Sequence, residues 1–347
     1  MTFQWPDNSP VQMVCVKKWQ ETPNAVSFTL QLKDSESTLF DFNPGQFISL
    51  GVEIDGKMEY RAYSLSSVPN QDFLQLTVKR VEGGKVSNYI VDQLKEGEQV
   101  SVLAPQGEFH IQQPHSEKLA LISAGCGITP VMSMAKTLLS DENDQTDIHF
   151  IHAASCLEQI IYHQELVELA AQHENFHLHI MLKDPTGSSY MTGRWTELSL
   201  KQVCPDIAER SAFVCGPEKF MSEMKANLET LGVDMNYFYQ ESFTPAVSEQ
   251  PKVDLAEALT SASVFVPTFG AQAKVAMGSA LIDALEQAKV PVIAACRSGV
   301  CGSCKCKVTS GEFTRTSTMT LTDEEIANGY VLACSCQVES DLEIALN

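Results

Sequence analysis

Four cysteines within eleven residues, CRSGVCGSCKC at 296–306, constrain this chain more than any other stretch of its sequence. Zinc sites usually pair cysteines as C-x2–4-C with a distant second pair. Plant-type 2Fe–2S clusters instead use a C-x4-C-x2-C group and one remote cysteine, and Cys296, Cys301 and Cys304 have this spacing. The spacing therefore predicts a 2Fe–2S cluster, with a zinc knuckle or free thiols as the alternative.

The predicted cluster needs a fourth ligand from outside this C-x4-C-x2-C group. Cys306 is a poor candidate, because it lies two residues from Cys304 in a run that reads as the start of a strand, so the loop cannot close around a cluster. Farther along, LACSCQV at 332–338 offers Cys334 and Cys336. The sequence positions alone leave both downstream cysteines open as the fourth ligand.

Composition excludes several other classes of protein. The eleven cysteines are odd in number and six lie in the last 52 residues, whereas a disulfide framework would be paired and spread out. A net charge of −20 argues against nucleic acid as a partner, since binding phosphates needs clustered cations. We find no secretory signal and no apolar run near the roughly 20 residues that span a bilayer. We therefore expect a cytoplasmic protein without a membrane span.

The remaining pattern divides the chain into blocks. Residues 8–112 hold short alternating or β-branched runs between turn signals, which predicts an antiparallel β-barrel. In residues 117–243, apolar strands alternate with helical stretches, which predicts an α/β doubly wound parallel sheet. Residues 244–261 read as a linker, and 262–347 hold a hairpin, a short helix and the cysteine loop. The predicted fold class is multidomain, ending in an α+β domain of the β-grasp type.

Two motifs in the first block suggest a cofactor site. RAYSLSS at 61–67 offers an arginine, an aromatic ring and hydroxyls after a strand. GGKVSNYI at 83–90 places a glycine turn at the start of a helix, where exposed amides can bind a pyrophosphate. Each motif is weak by itself, but in this order, behind PGQF at 44–47, they resemble the ferredoxin–NADP reductase superfamily.

That resemblance implies a flavin site. It places Arg61 on the flavin phosphates, Tyr63 against the ring and Ser64 near the nitrogen that accepts hydride. It favours FAD, although some relatives with an iron–sulfur domain use FMN. The further residues that the resemblance places along the flavin and its pyrophosphate are Val78, Lys79, Arg80, Lys85, Val86 and Ser87.

A glycine turn in the second block, LISAGCGITPVMSM at 121–134, suggests a dinucleotide site. Gly125 and Gly127 let a diphosphate approach backbone amides, and Pro130 suits the first turn of a helix. It is not a G-x-G-x-x-G fingerprint, because Pro130 stands where the third glycine would be. The nicotinamide-binding domain of the superfamily is similar here. The residues assigned to this turn are Gly125, Gly127, Thr129 and Pro130.

A second turn, VCGPEKFM at 214–221, resembles the C-G-P turn of the same superfamily domain. The resemblance implies that Cys215 lies beside the nicotinamide, with Gly216 and Pro217 in the turn; the alternative is that Cys215 is a small core residue without a role. Glu241 in QESF resembles an element near the flavin–nicotinamide junction. Ser64, Cys215 and Glu241 are thus the predicted environment of hydride transfer.

The choice between NADH and NADPH can be argued from charge. A 2′-phosphate needs a nearby cation. The segment 153–162 after the second strand of the parallel sheet has no lysine or arginine and carries Glu158. This favours NADH.

The C-terminal block resembles plant-type ferredoxins. Cys334 follows Cys304 after 29 residues, an interval similar to that of ferredoxins. The resemblance implies that Cys334, and not Cys336, is the fourth ligand. The predicted ligand set is Cys296, Cys301, Cys304 and Cys334.

The three predicted cofactors indicate an electron-transfer enzyme. NADH gives up two electrons together as hydride, whereas an iron–sulfur centre takes one at a time, and a flavin handles both. We therefore expect a reductase with no acid–base pair and no metabolite pocket beyond that for NADH.

Motifs near the C-terminus narrow the choice of electron acceptor. SFTPAVSE at 242–249, ACRSGVCGSCKCKV at 295–308 and STMTLTDEEIANGYVLACSC at 317–336 resemble the family of NADH oxidoreductases that reduce the hybrid-cluster protein. That acceptor is an iron–sulfur–oxygen enzyme implicated in reducing nitric oxide or hydroxylamine. A reductase component of a Rieske-type oxygenase remains the alternative. A redox sensor or carrier is a third possibility, against which the intact pair of flavin and NADH motifs argues.

Overall fold

The computed structural model describes residues 1–6, 9–33, 38–243, 261–294, 296–297, 299, 301–318 and 320–346. The chain forms two compact units, Met1–Lys57 with Tyr63–Phe243, and Met58–Ala62 with Thr244–Asn347. The linker predicted at 244–261 lies outside the described residues except for Ser261. No helix in the described part of the chain is long and apolar enough to cross a membrane.

An antiparallel sheet occupies the first part of the chain. Its elements are β1 (Val11–Thr22), β2 (Ala25–Leu32), β3 (Phe47–Ile54), β4 (Lys57–Ser64), β5 (Leu74–Lys79), α1 (Lys85–Asp92) and β6 (Gln99–Val102). The strand order is β4-β3-β6-β1-β2-β5. Leu65, just after β4, forms an antiparallel bridge with Leu76 of β5, which brings the two edges of the sheet together. The predicted β-barrel is confirmed.

The turn between β3 and β4 explains how the first edge of this barrel forms. Asp55 and Gly56 both have positive φ, 52° and 71°. Such a two-residue turn matches the twist of the strands that it joins, and an Asp-Gly pair is a preferred sequence for it. The turn positions β4, and with it the RAYS residues, directly beside β3.

A parallel sheet follows in the same unit. Its elements are β7 (Lys118–Ala124), α2 (Ile128–Leu139), β8 (Asp147–Ala154), α3 (His163–Gln172), β9 (Phe176–Leu182), β10 (Met191–Thr192), α4 (Glu197–Val203), β11 (Ser211–Cys215), α5 (Glu218–Thr230) and β12 (Phe238–Glu241). The order is β10-β9-β8-β7-β11-β12, with every pairing parallel. The order reverses between β7 and β11, so the carboxyl ends of these two strands flank the crevice where such sheets bind ligands.

The central strand of this sheet, β7, is apolar because it is buried on both faces. Leu119, Ala120, Leu121 and Ile122 are all fully buried, because helices cover both faces of the sheet. The sequence predicts a helix around 160–172 and a strand over 235–241, and both elements begin later in the structure. The helix begins at His163, because Tyr162 has a left-handed backbone with φ 60°. The strand begins at Phe238, after a 3-10 turn capped by the Asp234 carboxylate.

The C-terminal unit is a mixed sheet with a short helix packed on it. Its elements are β13 (Ser261–Val266), β14 (Ala271–Ala276), α6 (Leu281–Gln287), β15 (Lys305–Ser310), β16 (Phe313–Arg315), α7 (Asp323–Ala327), β17 (Tyr330–Leu332), β18 (Cys336–Val338) and β19 (Leu342–Ala345). The main sheet has the order β14-β13-β19-β15-β17, and β16 pairs with β18. Leu281, Ile282 and Leu285 of α6 are buried in its core. The predicted α+β domain, with its hairpin and short helix, is confirmed.

Candidate redox-cofactor sites

Two glycine-containing turns meet at the carboxyl ends of β7 and β11. Gly125 has φ +54°, a conformation that favours glycine. A Cβ atom added at Gly127 would lie 2.2 Å from the carbonyl oxygen of Cys215. One added at Gly216 would lie 2.9 Å from Cδ1 of Phe220 and 3.2 Å from Cβ of Ala124. The two turns are therefore in close contact, and a side chain at Gly127 or Gly216 would push them apart.

The helices that follow these turns, α2 and α5, have no side-chain cap at their N-termini, and the N-cap of α5 is Pro217. Pro130 lies in the first turn of α2, and the Thr129 hydroxyl donates to the Cys126 carbonyl at 3.1 Å. Uncapped amides at a helix start attract an anion. The predicted dinucleotide residues thus form a cradle that suits a diphosphate.

Lys79 connects the barrel to this cradle. Its Nζ lies 4.0 Å from the position that a Cβ at Gly125 would occupy. The resemblance assigned Lys79 to the flavin and Gly125 to the nucleotide, and the structure brings the two residues together. Burial raises the pKa of the Cys126 thiol in the turn, and Lys79 opposes that rise.

A buried histidine beside the cradle was missed by the sequence reasoning. His152 on β8 is fully buried, and its Nδ1 lies 2.8 Å from the Ser123 hydroxyl on β7. Its Nε2 has no hydrogen-bond partner among the described residues. Burial, with a smaller effect of the Lys79 charge, lowers the pKa of His152 to about 3, so the ring is neutral. The alternation of side chains along β8 predicts that His152 lies on the same face of the sheet as Ser123. It does not predict the register of β7 and β8 that brings the two side chains within hydrogen-bonding distance.

The flavin residues predicted from RAYSLSS lie along β4. Arg61 and Tyr63 share one face of the strand and Ser64 lies on the other. Ser64 is 4% exposed, and its hydroxyl has no partner in the described part of the chain. The Arg61 guanidinium is partly exposed, with Nη1 3.7 Å from Glu59 Oε2. A buried hydroxyl without a protein partner fits a position against a cofactor.

The glycine turn before α1 also suits a phosphate. Gly83 has φ +69°, and a Cβ at Gly84 would lie 2.6 Å from the Ser87 hydroxyl. No side chain caps the helix, and the Ser87 hydroxyl accepts from the Val81 amide at 3.3 Å. Within this turn Val86 is buried and Lys85 is exposed. The candidate residues Lys85 to Ser87 therefore line an open helix start.

Arg80 and Val78 contribute less directly than the resemblance suggests. Arg80 holds Asp92 through two hydrogen bonds of 2.7 and 2.5 Å, which lowers the pKa of Asp92. The Val78 side chain is fully buried in the barrel core. A cofactor would therefore meet the backbone of Val78 and would have to compete with Asp92 for Arg80.

Cys215 and Glu241 are neighbours at the junction of the barrel and the parallel sheet. They pair across β11 and β12, and Glu241 Oε1 lies 3.9 Å from the position of a Cβ at Gly107. Glu241 Oε2 is buried without a partner among the residues described. Burial raises the pKa of Glu241 to about 8, and burial together with that carboxyl raises the pKa of Cys215.

The four cysteines of the predicted cluster come together in the C-terminal unit. Cys304 Sγ lies 3.3 Å from Cys334 Sγ, and it accepts from the Cys334 amide at 3.4 Å. The pKa of Cys301 and that of Cys334 are raised first of all by a hydrogen bond with Cys296. The contacts thus run from Cys301 through Cys296 and Cys334 to Cys304.

Glycines of the same loop allow this approach. Gly299 has φ +74°, and its amide donates to Cys334 Sγ at 3.2 Å. A Cβ at Gly299 would lie 2.8 Å from the Ser335 hydroxyl, and one at Gly302, with φ +68°, 2.9 Å from that of Thr320. The donor set of four sulfurs with an amide aimed at one of them fits an iron–sulfur cluster.

The other two cysteines of this unit belong to its core. Cys306 is fully buried on β15, where it pairs with Val331, and Cys336 is 1% exposed on β18. Both are part of the hydrophobic cluster that contains Val264 and Ile344. Burial raises the pKa of both thiols.

Three known domain families match successive parts of this chain. The oxidoreductase FAD-binding domain matches residues 12–111 and the oxidoreductase NAD-binding domain matches 121–226. The 2Fe-2S iron-sulfur cluster binding domain matches 266–339. Among solved structures, phthalate dioxygenase reductase aligns with a TM-score of 0.66 at 22% identity, over 97% of this chain and 98% of that one, which shows the shared fold.

Two curated relatives are similar over nearly their full lengths. The glycine betaine monooxygenase reductase subunit of Pseudomonas aeruginosa is 35% identical over 95% of this chain and 93% of its own length. NADH oxidoreductase HCR of Escherichia coli is 36% identical over 94% of each chain.

The chain belongs to the ferredoxin–NADP reductase superfamily, among the reductases that carry a C-terminal 2Fe–2S domain. It is an oxidoreductase with FAD, NAD and 2Fe–2S binding domains that transfers electrons from a nicotinamide nucleotide. The predictions of family, fold class, enzyme class and cofactors are confirmed.

Proposed function

We propose that this chain oxidises NADH and passes the electrons through FAD and the 2Fe–2S cluster to a hybrid-cluster protein. The contact of the four cysteines in the ligand set carries the electron-transfer part of the proposal. The 36% identity to NADH oxidoreductase HCR and the resemblance of residues 317–336 support this acceptor.

The nucleotide is held mainly by backbone in this proposal. Amides of the Gly125–Gly127 turn and of the start of α2 bind the diphosphate, and Lys79 Nζ adds a positive charge beside it. Cys215 and Gly216 lie against the nicotinamide. NADH is preferred over NADPH because the segment 153–162 presents Glu158 and no cation to a 2′-phosphate.

Bound FAD supplies the chemistry that links a two-electron donor to a one-electron acceptor. Arg61 and the amides from Gly84 to Ser87 bind its phosphates, and Tyr63 packs against its ring. The Ser64 hydroxyl, buried without a described partner, would be available to donate a hydrogen bond to the bound flavin. The protonated Glu241 carboxyl is neutral at pH 7, so it adds no charge against incoming hydride.

The cluster is held by the thiolates of Cys296, Cys301, Cys304 and Cys334. The Gly299 amide donates to the Cys334 sulfur, which stabilises negative charge on that ligand and thereby raises the potential of the site. Cys306 and Cys336 stay in the core as bystanders.

The acceptor is tested by mixing the FAD- and cluster-loaded protein with NADH and one purified acceptor at a time. We expect fast NADH oxidation with a hybrid-cluster protein and at least tenfold slower oxidation with a Rieske-type oxygenase component. Faster transfer to the oxygenase would overturn the proposed acceptor. A sensor or carrier would show no catalytic reduction of an artificial one-electron acceptor, which separates that class from both reductases.

The reductase of a betaine-demethylating oxygenase is the second candidate. It is favoured by the 35% identity over 95% of the chain to the glycine betaine monooxygenase reductase subunit. The same mixing experiment distinguishes the two acceptors.

The cytoplasm remains the proposed location. The cysteines concentrate at one cofactor site instead of being spread as a disulfide framework would be, which suits a reducing compartment.

A further inference from the structure

Four side chains of the types that bind metal ions share one face of β8 and β9, at the amino-terminal end of these strands and opposite the nucleotide turns. Asp147 and His149 are two residues apart on β8, and His177 and His179 are two residues apart on β9. Side chains two apart on a strand point to the same face. His149 and His177 are direct partners in the register of the two strands, so both pairs lie side by side.

The distances within this group suit coordination of one ion. Single donor atoms of Asp147, His149 and His177 all lie within 4.8 Å of one another. His177 Nε2 is 2.9 Å from Asp147 Oδ1, and His149 Nδ1 is 3.1 Å from His179 Nε2. Ligands of a tetrahedral site with bonds of 2.0–2.1 Å stand about 3.3 Å apart. Small side-chain movements would therefore place the three donors around a metal.

We propose that Asp147, His149 and His177 bind a divalent transition metal ion, with Zn²⁺ as the best-suited species. Two imidazoles and one carboxylate are a donor set that Zn²⁺ accepts, whereas Mg²⁺ and Ca²⁺ prefer oxygen alone. Water completes the coordination. The ion links β8 to β9 and stabilises the amino-terminal end of these two strands.

The surroundings support the site in two ways. Arg210, 3% exposed, donates to Asp147 Oδ2 at 2.5 Å, which leaves Oδ1 facing His177 and fixes the carboxylate. The second is His179, whose contact with His149 Nδ1 fixes the orientation and tautomer of that ring. Metal-binding histidines usually have such a partner on the nitrogen that does not bind the metal.

Charge and access are also compatible with a cation. Arg210 is shared between Asp147 and Asp206, and Lys118 lies between Asp206 and Glu209. Three carboxylates against two cations leave these residues with a net charge of −1. The side chains of His177 and Asp147 are 42% and 33% exposed, so an ion can enter from solvent.

This site is independent of the proposed redox chemistry. Strand β8 runs from Asp147 to Ala154, and at about 3.3 Å per residue the nucleotide turns lie roughly 20 Å away. A variant that loses the ion should therefore oxidise NADH at the same rate with an artificial acceptor.

The test is calorimetric titration of the FAD- and cluster-loaded full chain with ZnCl₂. We expect His177→Gln to weaken one Zn²⁺ site at least tenfold, while His115→Gln leaves it unchanged. His115 is an exposed histidine outside the group, so it is a matched control. Equal Zn²⁺ binding by wild type and His177→Gln, or no binding by the wild type, would overturn the proposal.

Two further readouts keep the test decisive. Zn²⁺ should raise the unfolding temperature of the wild type and of His115→Gln but not of His177→Gln. If that variant does not fold, His179→Gln should weaken the same site by loosening His149. A crystal soaked in Zn²⁺ should show anomalous scattering at the zinc edge beside Asp147, and its absence there would contradict the assignment.

Discussion

The proposed nucleotide cradle and the proposed cluster site would hold their cofactors in opposite ways. The cradle is built from backbone: Gly127 and Gly216 leave no room for a Cβ, and α2 begins with uncapped amides. The cluster site is built from side chains, with the sulfurs of Cys304 and Cys334 3.3 Å apart. The first should fail when an atom is added, and the second when a ligand is removed.

The largest effect is expected at the side-chain site. Cys334→Ser should abolish the visible absorption of the cluster and reduce electron transfer to a one-electron protein acceptor by at least ~100-fold, because one of four ligands is lost. Absorption spectra and stopped-flow kinetics measure the two quantities.

Cys306→Ser is the matched control, since Cys306 is buried in the core and pairs with Val331. It should keep the cluster spectrum. A cluster that persists in Cys334→Ser but disappears in Cys306→Ser would show that the ligand assignment is wrong.

At the nucleotide cradle, the addition of one carbon atom should be enough to weaken NADH binding. Gly127→Ala places a Cβ 2.2 Å from the Cys215 carbonyl oxygen, a backbone atom that cannot move aside. Overpacking of this kind costs about 1–3 kcal/mol, so KM for NADH should rise about tenfold. Steady-state NADH oxidation with an artificial acceptor measures it.

Gly187→Ala provides the comparison for backbone strain. Gly187 has φ +78° with nothing within 4 Å of an added Cβ, so that substitution introduces strain without a clash. If both variants bind NADH as the wild type does, the two turns do not form the cradle.

The pH dependence of stability tests whether the Glu241 carboxyl is buried at the junction of the barrel and the parallel sheet. An ordinary glutamate ionises near 4.5, whereas burial keeps Glu241 protonated in the folded protein up to about pH 8. Between these values the unfolded chain releases a proton that the folded chain retains, so stability falls as pH rises. The unfolding temperature of the wild type, compared with that of Glu241→Gln, should drop from pH 5 to pH 8.5. Parallel curves for the two proteins would mean that Glu241 is ionised when folded.

The smallest effect is expected from one hydroxyl between the barrel and the parallel sheet. The Tyr162 hydroxyl is hydrogen-bonded to Thr77 Oγ1, which also contacts Ser27 Oγ at 2.6 Å. Tyr162→Phe should lower the free energy of unfolding by about 1 kcal/mol, measured in urea. Tyr237→Phe, at a side chain that is 42% exposed, should change it by much less. Equal values for both variants would count against this contact.

Much of the architecture could be predicted because it depends on local pattern. The sequence predicts strands over FISLGVEI (47–54), KLALISA (118–124) and FHLHIML (176–182), because alternating or continuous apolar residues specify a strand directly. The structure has strands with these bounds. The cysteine spacing predicted a cluster site because three of the proposed ligands lie in one loop. The late start of α3 was not predicted, since nothing in the sequence announces the left-handed Tyr162.

Contacts between elements were beyond such reasoning. The approach of Lys79 to Gly125, the hydrogen bond from Ser123 to His152 and the pairing of His149 with His177 depend on register between strands far apart in sequence. Periodicity assigns each residue to a face, but not to a neighbour.

The sequence by itself determined the order of the three domains, the turns that need glycine and the cysteines that are proposed as ligands. These follow from residue type and spacing along one stretch of chain. Only the tertiary structure decided that Cys336 packs in the hydrophobic core, and that a histidine–aspartate group forms at the amino-terminal end of β8 and β9. The physical reason is that such groups form only when distant strands pair, and pairing is a property of the whole fold.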